Sequence, residues 1–255
     1  MRVVNESKLS QNPAVLDRKC VCWIRNTVGE ALKTYDSLRE HLPKEKLTIF
    51  HARFAHFDRQ PIEDDLLSRF GKNAGAKEGQ GQLVIATQVI EQSLDVDFDL
   101  LVTDLAPIDL LIQRAGRQHR HARTIDGDVV ATDGKDRRPE PRFLVYGPKY
   151  TTDPKETLHK DVSPGSAAVY SDTRVIYRTA KALSERTHLV IPQNSRVLVE
   201  DVYQGLDDAF SKQEDIPDAI EKVSNPPWRK DRRYSFDSLG RQRNRALFAK
   251  GGQYF

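Results

Sequence analysis

Cysteine, methionine and long apolar runs are nearly missing from this sequence, and each shortage narrows what the chain can be. Its 255 residues include two cysteines and one methionine, Met1. Cys20 and Cys22 stand close together with no second pair, too few for a disulfide scaffold or a four-ligand zinc site, so a reducing cytoplasm is the expected compartment. No apolar run reaches membrane-spanning length, and Met1–Ser10 lacks the apolar core of a secretory signal, so no membrane partner is expected. Gly71-Lys72 is not a phosphate-binding P-loop, because Asn73 replaces the required Ser or Thr and Leu66 the first Gly. No Asp-Glu pair follows a strand to hold magnesium, and no serine-nucleophile elbow is present.

What is present suits a folded, highly charged protein. Apolar residues make up 38% and charged residues 30%, with a mean hydropathy of −0.61. That is enough for one large domain, or one domain with an appendage. The net charge of +3 hides an asymmetry: residues 228–255 carry eight Lys or Arg against Asp231 and Asp237. Trp228, Tyr234 and Phe236 are interleaved with these cations. The composition is compatible with nucleic acid, and equally with a solvated tail.

Short apolar runs alternate with amphipathic stretches. Strands are expected at Cys20–Ile24, Leu47–Phe50, Leu83–Thr87, Leu100–Asp104 and Phe143–Tyr146. Thr27 with Glu30 forms a capping box for a helix reaching about Glu40. Helices are also expected near 58–70, with Ile62, Leu66, Leu67 and Phe70 inward, and over 107–117, with Pro107 in the first turn. Repeated alternation of strand and helix predicts an α/β fold with a largely parallel sheet. Past residue 149 the pattern turns helical, at 173–186, 195–203 and 207–223. The expected division is a lead-in at 1–18, an α/β domain at 19–150, a helical extension at 151–227 and the basic tail at 228–255.

Three constellations carry candidate chemistry. The densest runs from Gln113 through Arg114, Arg117 and Arg120 to His121. Helical spacing would set Gln113, Arg117 and Arg120 or His121 on one face, with Arg114 turned about 100° from Gln113. Two guanidiniums converging from a helix end suit a polyphosphate, which they can grip bidentately. His119 and His121 lack carboxylates at metal-ligand spacing, so no metal site is expected. The second constellation is Thr87-Gln88 at the end of an apolar strand, with Asp95 in the loop beyond. Open α/β sheets bind ligands at that edge, and Asp95 could accept from a ribose hydroxyl or steer an arginine. A plain strand and turn would also fit. The third is His51 and Arg53, again just past a strand, where solvated polar residues are equally common.

Taken in order, these stretches resemble a known family. Cys22-Trp23-Ile24-Arg25-Asn26-Thr27-Val28, His51–Phe54 with Asp58-Arg59, Ala86–Asp95, and Asp104-Leu105-Ala106-Pro107 through Gln113–His121 are similar to the second RecA-like domain of the CRISPR-associated helicase-nuclease of type I systems, a superfamily 2 helicase. Val169-Tyr170-Ser171-Asp172, Tyr177-Arg178-Thr179 and Ser195–Tyr203 resemble the same proteins just past that domain. Gln118 departs from the pattern, where an apolar residue is expected.

The resemblance implies a RecA-like sheet flanked by helices, followed by a smaller helical segment. It implies that Gln113, Arg117 and Arg120 face the phosphates of ATP, with the two arginines as candidate fingers and Asp95 near the nucleotide. It sets Asn26, Thr27, His51, Arg53, Thr87 and Gln88 along a single-stranded DNA track. Mg-ATP would bind only at an interface with a first RecA-like domain, which carries the P-loop. Neither that domain nor the family's nuclease domain is recognisable here. An internal start, a split gene or a truncated piece would each account for this. The implied partners are single-stranded DNA, those two domains and the CRISPR surveillance complex. The expected function is the C-terminal motor half of a DNA translocase, inactive as an ATPase alone. A non-catalytic DNA- or protein-binding module that regulates the full enzyme, or a subunit of another superfamily 2 helicase, is the alternative.

Overall fold

The computed structural model describes residues 2–3, 19–92, 94–130, 134–148, 150–153, 157, 169–170, 172–186 and 188–206. Six parallel strands form one sheet: β1 (Arg2–Val3), β2 (Cys20–Ile24), β3 (Leu47–Phe50), β4 (Gln82–Ala86), β5 (Leu100–Asp104) and β6 (Arg142–Tyr146), in the order β1-β6-β5-β2-β4-β3. β5 is buried throughout and β2 past its first residue. A parallel sheet covered on both faces requires such apolar runs. β4 starts and ends one residue before the expected Leu83–Thr87, so Thr87 lies just beyond the strand. β1 lies inside the expected lead-in and pairs with Leu144 and Val145 of β6.

Alternate strand residues feed two cores. Val21, Trp23, Leu83, Ile85, Leu100 and Val102 meet Ala31 and Leu38 of α1 (Val28–Leu38) on one face. Thr27 caps α1 by accepting from the Glu30 N–H at 3.1 Å, and its hydroxyl meets the Glu30 carboxylate at 3.0 Å. On the opposite face Cys22, Ile24, Val84, Ala86 and Leu101 pack against α2 (His56–Phe70), α4 (Val89–Gln92) and α5 (Ile108–Ala115). Val175, Ile176, Ala180 and Leu183 of α6 (Thr173–Ser184), with Leu198 and Val202 of α7 (Ser195–Tyr203), join that same core. The Tyr203 hydroxyl donates to Asp109 of α5 at 2.5 Å. The helix expected at 207–223 and the basic tail lie outside the described residues.

Two connecting stretches, the glycine-rich 71–82 and the charged 123–142, are pinned through their described residues. Residues 76–79 of the first form a short helix, α3 (Ala76–Gly79). A Cβ on Gly79 would meet Cys20 Sγ at 2.7 Å and the Arg69 carbonyl at 2.8 Å, so only glycine permits that approach. The second loop is held by ions. Arg123 pairs with Asp97 at 3.2 Å and donates to the Gly71 carbonyl at 2.8 Å. Arg138 bridges Asp97, Asp99 and Asp136 at 3.2, 2.9 and 2.7 Å. Gln118, the departure from the family pattern, donates to the Asp99 and Arg142 carbonyls at 2.9 and 2.8 Å, tying the approaches to β5 and β6 together.

Candidate functional site

Register brings three of the quoted motifs to one edge. Ile24 and Phe50 both align with Ala86. The chain therefore leaves β2, β4 and β3 side by side at their carboxyl ends, delivering Asn26-Thr27, Thr87-Gln88 and His51–Arg53 as neighbours. Cross-bonds hold the row: Arg25 N–H to the Ala86 carbonyl at 2.7 Å, Thr87 N–H to Phe50 at 3.1 Å, and the Gln88 amide to the Asn26 carbonyl at 3.1 Å. The six residues are not equally available. Asn26, His51 and Thr87 are buried, Thr27 and Gln88 are half-buried, and Arg53 is exposed. His51 stacks on Phe54 with centroids 4.2 Å apart, and its Nδ1 accepts from the Arg53 N–H at 3.3 Å. Burial, the leading cause, holds its pKa below the usual histidine value.

Beneath the row lies a buried polar network. Asn26 donates its backbone N–H to Asp104 and its amide to the Leu105 carbonyl, both at 2.8 Å. Its Oδ1 accepts from Arg114 and from the Tyr170 hydroxyl, both at 3.3 Å. Arg114 is 0% exposed and also donates to Glu91 at 2.8 Å, Thr103 at 2.5 Å and the Asp104 carbonyl at 3.3 Å. Asp104 faces Arg25 at 3.0 Å. Burial still pushes its carboxyl up to about 6, against the pull of Arg25 and the Asn26 N–H. One expectation is corrected here. Arg114 belongs to the stretch read as candidate binding chemistry, yet it is among the largest fully buried side chains. Enough acceptors converge on it to satisfy an interior guanidinium. Glu91 and Tyr170, not singled out as site residues, complete this interior. Glu91 sits one turn past Gln88, which was its only signal.

The arginine loop needs a second correction. α5 stops at Ala115, Gly116 caps it, and His119 adopts a positive φ of 49°, so helical spacing does not align Gln113 with Arg117 and Arg120. Tertiary contacts gather the arginines instead. Arg117 donates to the Leu94 carbonyl at 2.7 Å and to the Glu91 carbonyl. Burial, and then the charge of nearby Arg120, lower its pKa. The described residues offer Arg117 no carboxylate at ion-pair distance. Arg120 pairs with Asp95, which His121 approaches at 3.2 Å. Partial burial pushes Asp95 up, but Arg120 and His121 outweigh it and hold its carboxyl low. Gln113 is exposed on α5. α4 links the two groups, with Thr87-Gln88 at its start and the Glu91 carbonyl near its end.

Among the described residues no cluster of three His, Cys, Asp or Glu could hold a metal ion, and no helix is long and apolar enough to cross a membrane. Burial pushes the Cys20 thiol up to about 12 and that of Cys22 higher still, leaving both inert at neutral pH.

Comparison with known proteins follows these same residues. The family model described as CRISPR-associated nuclease/helicase Cas3, C-terminal, matches residues 17–123. That span holds all three strand-end motifs and the arginine loop. The chain carries the C-terminal RecA-like domain of the Cas3 family. Cas3 of Escherichia coli K12 is 36% identical over 189 residues, covering 72% of this chain but 19% of that protein. The crystal structure of T. fusca Cas3-ATP superposes with a TM-score of 0.65 at 26% identity, over 88% of this chain and 28% of that one. A chain from the structure of a CRISPR RNA-guided surveillance complex, pre-nicking, gives 0.61 at 25% identity, over 87% of this chain and 27% of that one. The chain thus spans about a fifth of the length of the curated Cas3 relative, and it is a helicase-related module of that family.

Proposed function

We propose that this chain is the C-terminal motor half of an ATP-dependent single-stranded DNA translocase of superfamily 2, acting in type I CRISPR interference. One observation carries the reading. Arg117 is a half-buried cation held by two carbonyls, beside a second guanidinium, so its charge awaits an anion from outside the described residues. The donor set fits a polyphosphate, because Arg117 and Arg120 can each supply charged N–H groups. It does not fit magnesium, for which the described residues hold no ligand cluster. When bound, Mg-ATP supplies the phosphoryl transfer that powers such a motor. In this chain Arg117 and Arg120 would meet the phosphates and Asp95 orients Arg120, while Gln113, exposed on α5, is not aligned with them. The P-loop would come from a first RecA-like domain, and the surveillance complex would deliver the DNA.

At the strand ends, Arg53 and the second N–H of the Gln88 amide are the accessible donors for DNA phosphates, while the Thr27 hydroxyl, given to Glu30, fixes the turn beside them. Asn26, His51 and Thr87 shape the backbone that presents them. Phosphate contacts position a strand without reading its sequence. Binding should therefore be sequence-tolerant and weaken with salt, with a slope of about −0.7 per phosphate contacted. Fluorescence anisotropy on unrelated oligonucleotides at two salt concentrations tests this. Strong sequence preference, or affinity indifferent to salt, would contradict the track.

A further inference from the structure

The β3–α2 connection holds an apolar surface that the fold does not explain. Phe57, the second residue of α2, is 90% exposed, the most exposed large apolar side chain described. A phenylalanine ring offers roughly 150 Å² or more of surface whose burial is favourable. The other phenylalanine of this stretch, Phe54, is half-buried and packs against the core and His51. His56 stands beside Phe57, exposed, with ring centroids 6.2 Å apart and planes at 51°. Ala52 and Ala55 are exposed and too small to cover either ring.

The surroundings suit one kind of occupant. Arg53, exposed and four residues before Phe57, lies in the loop that leaves the carboxyl end of β3, next to Thr87-Gln88 and Asn26-Thr27. Asp58 is the one carboxylate within residues 51–59, and Arg59 is paired with Glu63 at 2.5 Å. An exposed ring pair three to four residues along the chain from an exposed guanidinium suits a single-stranded nucleic acid, which carries flat apolar bases along a charged phosphate backbone. Base–aromatic stacking tolerates any sequence, because every base has a π face. A folded protein partner would more typically require a broader apolar patch. We infer that Phe57, with His56 beside it, is a stacking platform for an unpaired base of a strand whose phosphate passes Arg53. This deepens the nucleic-acid reading above and rests on it.

Binding of the full chain to two oligonucleotides of equal length separates the ring from the track. One is oligo-dT, and the other has the same sugar-phosphate backbone with its central bases removed. Phe57→Ala should weaken oligo-dT binding about 5-fold or more, the low end for a lost base stack. It should leave the salt slope and the abasic affinity unchanged, and Phe57→Trp should retain the wild-type preference for dT. Arg53→Ala should lower the salt slope by about 0.7 on both strands. Because Phe57 is on the surface, circular dichroism of the variants should match wild type. Equal losses on both strands, or none on dT, would overturn the stacking role while leaving the track intact. No salt-dependent binding by wild type to either strand would overturn the track, and the platform with it.

Discussion

Arg114 and Arg117 are three residues apart and chemically identical, yet their surroundings give them opposite tasks. Arg114 is enclosed by Glu91, Asn26, Thr103 and the Asp104 carbonyl, whereas among the described residues Arg117 is hydrogen-bonded to carbonyls alone. Removing Arg114 strands the Glu91 carboxylate, 7% exposed, without its cation. Arg114→Ala should therefore cost about 3–5 kcal/mol of stability, the usual penalty for breaking a buried pair, and Arg117→Ala clearly less. Urea unfolding followed by circular dichroism measures both, and equal losses would contradict the assignment. Asp104 adds a pH signature. Its carboxyl titrates at about 6 in the fold against an ordinary 3.8, with burial the leading cause. The folded protein therefore holds a proton there that the unfolded chain releases between those values. Its contribution to stability rises as pH falls from about 6 to about 4 and is lost as pH rises back through 6. His51 and His119, both lowered, act in the opposite sense, contributing stability above about 6.5 that is lost as pH falls. The difference in unfolding free energy between wild type and Asp104→Asn, followed from pH 7 to pH 4, should shift in favour of wild type. A flat difference would place the Asp104 carboxyl near its ordinary value.

Strands and caps were the most legible parts of the sequence. Cys20–Ile24 and Leu47–Phe50 are bounded by polar residues, Leu100–Asp104 opens after Asp99, and short, mostly apolar runs leave little choice of element. The Thr27 cap was equally visible, since its partner Glu30 is local. Thr27→Ala should lower stability by about 1 kcal/mol, and an unchanged urea midpoint would show that the cap contributes nothing. What escaped depends on distance in sequence. β1 is two residues long and pairs with residues about 140 positions away. Arg117–His121 has helical spacing, but Gly116 ends α5 and the loop is refolded by Asp95, Asp97 and Leu94. The placement of the strand-end residues at one sheet edge could be read, because each follows an apolar strand run. The interior beneath them could not, since Asn26 meets Arg114 and Tyr170 across 88 and 144 residues.

Across the chain, the strand-end row and the arginine loop are two surfaces joined through α4 and the Asn26–Arg114–Glu91 interior. The proposed motor half would use that arrangement, with one surface for the track and one for the phosphates of a nucleotide held by another domain. The 255 residues contain no P-loop, so the isolated chain should hydrolyse no ATP, and robust hydrolysis by it would contradict the half-site. The most direct test supplies the missing half: a coupled ATPase assay of this chain mixed with the P-loop-bearing domain of its own system and single-stranded DNA. The account predicts DNA-dependent hydrolysis from the pair, and a loss of about 10³-fold or more in turnover with Arg117→Ala, the usual weight of an arginine finger. Hydrolysis by the pair that survives Arg117→Ala within a few-fold, with the variant folded by circular dichroism, would contradict it.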